Sequence, residues 1–287
     1  MNTRQEPDRK VIRIGHSPDP DDAFMFYGLA SGKVPTGAYA VEQVLNDIES
    51  LNRLALLGEI EVTAISIHAY AYLADRYLLL PCGASMGDGY GPILVTRAPA
   101  TVDDLKRMTI AVPGRLTSAS LALRLALGEV RMEVMPFDRI LEAVGRGEAE
   151  AGLLIHEGQL TYARAGVHKV LDLGEWWQRR PGLPLPLGGN AIRRDLGPRA
   201  IAEIGAFFRN SIAFGLAHRP EALTYALDFG RGIGRPLADR FVGMYVNDFT
   251  LDYGPIGRRA IDELLSRAHR AGAIPHSMAV EFAELPP

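Results

Sequence analysis

The chain has 287 residues, 47% of them apolar and 23% charged, with a formal net charge of −3. This composition excludes disorder, a fibrous repeat and the broad basic face that nucleic acid or an anionic membrane requires, so neither partner is expected. The length exceeds one typical domain and predicts two α/β lobes of roughly 100–150 residues each.

The polar start MNTRQEPDRK runs directly into VIRIGHSP, a strand too short and too closely flanked by charge to be a secretion signal. No later stretch approaches the roughly 18 uninterrupted apolar residues of a membrane span, and the single cysteine, Cys82, cannot form an internal disulfide. A cytoplasmic protein is therefore expected, with Cys82 a small buried hydrophobe behind YLLLP. The first strand ends at Ser17, where Ser17-Pro18-Asp19-Pro20-Asp21-Asp22 opens a helix. Asp19 suits the N-cap, Pro20 the first helical position, and the next two acids the first turn, where the helix dipole favours negative charge. Ser17 should face the cleft. Because an acid-rich turn would repel a carboxylate, Asp19 and Asp21 are expected to bond ligand hydroxyls or to orient neighbouring groups.

Short apolar runs then alternate with amphipathic segments: YAVEQV, EVTAIS, YLLLPCG, PILVTR, TIAVPG, MEVMPF, EAGLLI and HKVLDLG. Such alternation predicts mainly parallel pairing. The stretches LNRLALLGEIEVTAIS (51–66) and RILEAVGRGEAEAGLLIH (139–156) echo each other. Each reads as a helix, a Gly-Glu stop, a strand and a polar side chain at the strand end. Ligands of open α/β sheets gather at the carboxyl ends of strands, which puts Ser66 and His156 at the cleft, one from each lobe. Between them, TIAVPG leads through Arg115 and Leu116 to Thr117, Ser118 and Ala119 at the start of a helix, an anion site built from backbone N–H groups and hydroxyls.

Crossovers are expected near 94–98 and 188–191. These give a discontinuous first lobe (1–96 and 191–287), a second lobe (97–190) and a hinge of two strands. From about Pro198 onward the periodicity is helical, forming a C-terminal cap. No phosphate loop, dinucleotide fingerprint, GxSxG elbow or paired-cysteine motif is present, and the histidines are scattered, so no cofactor and no metal are expected. The residues alone leave His156 open between a structural and a catalytic role.

The runs IRIGHSPDPDDAFMFYGLASGKV, AVPGRLTSA, AGLLIHEGQLTYARAGVHKVLDLGEWW, GLPLPLGG and YVNDFTLDYGPIGRRAI resemble the 1,4-dihydroxy-6-naphthoate synthases of the futalosine route to menaquinone. The resemblance spans nearly the whole chain. It implies a two-lobed fold of the type II periplasmic-binding-protein class, with mixed sheets flanked by helices, and a cofactor-independent carbon-carbon lyase acting on cyclic dehypoxanthine futalosine, a small carboxylate. It also implies that His156 is the proton acceptor and that Ala64, Ile65, Ser66, Ser118 and Ala119 contact substrate. The chain departs from the family at the first turn, where SPCPNDTF becomes SPDPDDAF, and at Ala64, where the family often has lysine. A non-catalytic solute-binding protein and a chorismate-dehydratase-like sister enzyme remain the alternatives.

Overall fold

In the computed structural model, which describes residues 9–286, the chain forms two sheets. The first takes β1 (Lys10–His16), β2 (Tyr39–Leu45), β3 (Val62–Ser66), β4 (Tyr77–Leu79) and β5 (Ser85–Gly87). The second takes β6 (Ile93–Thr96), β7 (Thr109–Val112), β8 (Arg131–Val134), β9 (Ala151–Leu154) and β10 (His168–Asp172), after which β11 (Leu185–Arg193) returns to the first. The strand orders are β2-β1-β3-β11-β4, with β5 also on β11, and β10-β6-β9-β7-β8.

The expected parallel pairing holds for three strands of each sheet, β2-β1-β3 and β8-β7-β9. The remainder is antiparallel: β11 against β3, β4 and β5, and β6 against β9 and β10. The physical reason lies in the connections. A parallel neighbour needs a crossover within its own lobe, whereas β6 and β11 each enter from the other lobe and are free to run the opposite way. Pairing passes to the second sheet between Gly87 and Ile93 and returns between Asp172 and Leu185, upstream of the positions that strand spacing suggested.

The two echoing segments build equivalent units. The helix Ile48–Leu57 starts at Asp47, whose carboxylate accepts the Ser50 N–H at 3.0 Å, and stops at Gly58 with φ 72°. The helix Phe137–Arg146 stops at Gly147 with φ 77°. Both stops use a left-handed residue that glycine adopts without a Cβ penalty. Each helix leads into a fully buried central strand, β3 between β1 and β11, and β9 between β6 and β7. Ser66 and His156 follow at the strand ends.

The C-terminal helices Pro198–Ala217, Arg219–Leu227, Arg235–Tyr245 and Gly254–Arg270 form the expected cap. Pro198–Ala217 is long and apolar enough to cross a membrane by length and composition alone. Here it packs on the helix Pro20–Ala30, so closely that a Cβ on Gly215 would lie 2.8 Å from the Phe24 carbonyl. Phe26 and Phe208 meet edge to face across this interface at 5.2 Å. Each fully buried side chain of that size contributes about 1.5–3 kcal/mol. Gly254–Arg270 packs on both β11 and the helix Ser118–Leu127, and so touches elements of both lobes.

Candidate active site

The strand ends converge on a cavity of about 690 Å³, mouth included, between the lobes. The first lobe contributes Ser17, Asp21, Asp22, Ala64, Ile65, Ser66 and Asn190, and the second contributes Thr117, Ser118, Ala119, His156 and Gln159. Phe241 and Tyr245, from the helix Arg235–Tyr245, close one wall. Of the residues expected to bind ligand, only Asp19 is absent from the lining.

Asp19 occupies the N-cap position of the helix Pro20–Ala30 but makes no side-chain cap bond. Its fully buried carboxylate instead reaches Arg231 through Oδ1 and approaches His156 Nε2 with Oδ2 at 3.2 Å. The His156 contact has ion-pair distance without hydrogen-bond alignment, so Oδ2 has no hydrogen-bond partner. Burial pushes the Asp19 carboxyl up, but His156 and Arg231 outweigh it and hold its pKa below the ordinary carboxylate value. Arg231 also bonds Glu157 at 2.9 Å and stacks over Phe137 at 4.6 Å, linking the first turn of the chain to the segment that carries His156. Phe137 in turn meets the His156 ring edge-on at 4.9 Å.

His156 and Arg231 are the two non-glycine residues with left-handed backbone among those described, at φ 51° and 47°. A left-handed residue carrying a Cβ costs roughly 1–2 kcal/mol and is held only where its surroundings fix it. Here the charged and aromatic contacts do so. Sequence reasoning placed His156 but missed Arg231. The local signal was weak, since Gly230, Gly232 and Gly234 around Arg231 announce only a loop.

The hydroxyls divide by what they already bond. Ser17 donates its N–H and Oγ–H to Asp22 at 2.8 and 2.7 Å. Thr117 caps its helix, accepting the Ser120 N–H at 3.2 Å and donating to the Gly114 carbonyl at 3.0 Å. Ser118 donates to the Leu187 carbonyl at 2.6 Å and accepts the His68 N–H at 3.2 Å, a link between lobes. Both hydroxyls are thus engaged, and what the Ser118–Leu127 helix offers the cavity is its free first-turn N–H groups at Ser118 and Ala119. Ser66 differs: its Oγ accepts from Asn52 Nδ2 at 3.1 Å, leaving its own proton free to donate. Asn190 Oδ1 also faces the cavity unpaired.

Burial pulls the His68 pKa down to about 4, so this ring is neutral, and its Nδ1 lies 3.2 Å from the Thr117 carbonyl. Burial likewise raises Cys82 to about 12, which removes it as a nucleophile. Among the described residues no group of three or more His, Cys, Asp or Glu could hold a metal ion.

Comparison with known proteins gives this geometry a family. Residues 12–270 match the family model described as menaquinone biosynthesis. The chain is 44% identical to the 1,4-dihydroxy-6-naphthoate synthase of Thermus thermophilus over 92% of this chain and 96% of that one. It is 38% identical to the enzyme of the same name from Streptomyces coelicolor, over 92% and 95%. A solved protein of Archaeoglobus fulgidus superposes with a TM-score of 0.88 at 50% identity, covering 92% of this chain and 98% of its own. The alkanesulfonate-binding protein of Xanthomonas axonopodis pv. citri shares the fold at 12% identity and a TM-score of 0.69, over 96% and 97%. A periplasmic-binding-protein architecture thus carries the sequence of a biosynthetic enzyme, and the chain belongs to the menaquinone-biosynthesis family of 1,4-dihydroxy-6-naphthoate synthases.

Proposed function

We propose that this chain is a carbon-carbon lyase that converts cyclic dehypoxanthine futalosine into 1,4-dihydroxy-6-naphthoate without a cofactor, with His156 as general base. The observation that carries the reading is His156 in the cleft wall, on strained backbone, with Nε2 at 3.2 Å from a buried carboxylate. Imidazole is the side chain best suited to taking a proton near neutral pH. Asp19 sets the ring: with the Nε2 proton turned to Oδ2, the lone pair of Nδ1 is left to accept a proton from substrate. Catalytic hydrogen bonds are often misaligned before substrate arrives and tighten when it does, which accounts for the imperfect contact in the empty cleft. The first-turn N–H groups of Ser118 and Ala119, with the Ser66 hydroxyl, hold the substrate carboxylate opposite. Proton removal then leads to elimination and ring cleavage, driven by formation of the aromatic product.

Purified protein incubated separately with cyclic dehypoxanthine futalosine and with chorismate tests this. The naphthoate is expected from the first and no product from the second. Dehydration of chorismate would move the chain to the sister activity. Turnover of neither, with tight binding of a small acid, would make it a binding protein.

A further inference from the structure

Three carboxylates crowd the first turn after β1, and each meets a different environment. Asp19 has Arg231, and Asp22 takes both donors of Ser17. Asp21 has neither kind of partner. Its side chain lines the cavity, the residue is only 6% exposed, and its Oδ1 is buried with nothing to bond. Ionising Asp21 would place a charge out of water beside two other acids, a doubly unfavourable step. Burial, followed by the neighbouring Asp22 and Asp19, raises its pKa well above the usual carboxylate range. A carboxyl that keeps its proton is a donor.

We propose that the Asp21 carboxyl donates a hydrogen bond to an oxygen of the substrate bound in the cleft, and so acts as a specificity contact. The inference rests on the lyase reading above and reverses one expectation drawn from the sequence. An acid-rich turn repels an anion only when its acids are ionised. Here Asp19 is matched by Arg231 and Asp21 is neutral, so this end of the cleft accepts an anionic substrate. The charged and titratable groups around Asp21 are Asp19 and Asp22 on its own turn, Arg231 and His156 beyond Asp19, Tyr245 on the helix Arg235–Tyr245, and Arg219, which lies over Phe24.

Steady-state kinetics of the wild type, Asp21→Asn and Asp21→Ala on cyclic dehypoxanthine futalosine, from neutral to alkaline pH, test the contact. Asp21→Ala should raise KM about 10- to 100-fold with kcat nearly unchanged, the loss expected for a hydrogen bond to a charged partner. Asp21→Asn keeps a donor and should hold KM within about 3-fold of wild type. Wild-type KM should climb as alkali removes the Asp21 proton, and the Asn variant should not follow it. The contact is overturned if Asn is as impaired as Ala, if Ala binds like wild type, or if wild-type KM is flat with pH. Should Ala fail to fold on thermal melting, the Asn variant and the wild-type pH profile decide. An inactive wild type would overturn the lyase reading and this contact with it, whereas an active wild type with the wrong variant pattern overturns the contact alone.

Discussion

The ends of β3 and β9 are reached by the same local code, yet the chain leaves them in different ways. After β3 the backbone passes straight into the short helix Ile67–Tyr70, with Ser66 in an ordinary extended conformation. Asn52 holds Ser66 from both sides, accepting its N–H at 2.9 Å and donating to its Oγ at 3.1 Å. After β9 the chain turns His156 into the left-handed region and sets its ring between Phe137 and Phe241, against Asp19. One end is relaxed and satisfied within its own lobe. The other is strained and finds its electrostatic partner across the cleft. Strain of this kind survives only where the surroundings over-determine it, and it concentrates where chemistry is done. The repeated unit supplies two strand ends, and the departure from the repeat places the reacting group.

Replacing His156 is the severest way to test that contrast. His156→Asn keeps much of the volume but cannot accept a proton, so kcat should fall roughly 10²- to 10⁴-fold. Relief of the left-handed strain should leave the melting temperature unchanged or higher, since asparagine tolerates this conformation. Full turnover by a folded His156→Asn would remove the base assignment. Asp19→Asn comes next. It weakens the charge that orients the ring and should lower kcat about 10- to 100-fold, with KM little changed. It also has a signature in stability. A carboxyl held below its ordinary pKa stabilises the fold at neutral pH, and that contribution is lost as pH falls through its depressed value. Melting temperatures measured against pH should therefore show a shallower acid limb in Asp19→Asn than in wild type. An unchanged limb would mean that Asp19 and Arg231 do not form the pair seen here.

The sequence exposes some of these features and hides others for a definite reason. Strand runs, the glycine stops at Gly58 and Gly147, and the helical C-terminus are written within a few neighbouring residues, and all were readable. The direction of β6 and β11 was not, because it depends on where the chain returns from rather than on what it contains. Asp19 looked like a helix cap because cap and site use the same residue types, and only the fold brings His156 to it. Thr117 shows the converse, a residue read as part of an anion site whose hydroxyl serves as the cap. Arg231 lay beyond any local pattern, 74 positions from Glu157 and 212 from Asp19.

The smallest expected effect belongs to the relaxed strand end. Ser66→Ala removes one neutral donor from the cavity and leaves the Asn52 bond to the Ser66 backbone N–H in place. A neutral hydrogen bond is worth about 0.5–1.5 kcal/mol, so KM should rise roughly 2- to 10-fold while kcat stays near wild type. That split separates the two strand ends by kind of contribution as well as by size, since a group that only holds substrate acts on its binding and a base acts on turnover. If Ser66→Ala lowered kcat as much as His156→Asn does, Ser66 would belong to the reacting machinery, and the division between a holding end and a reacting end would fall.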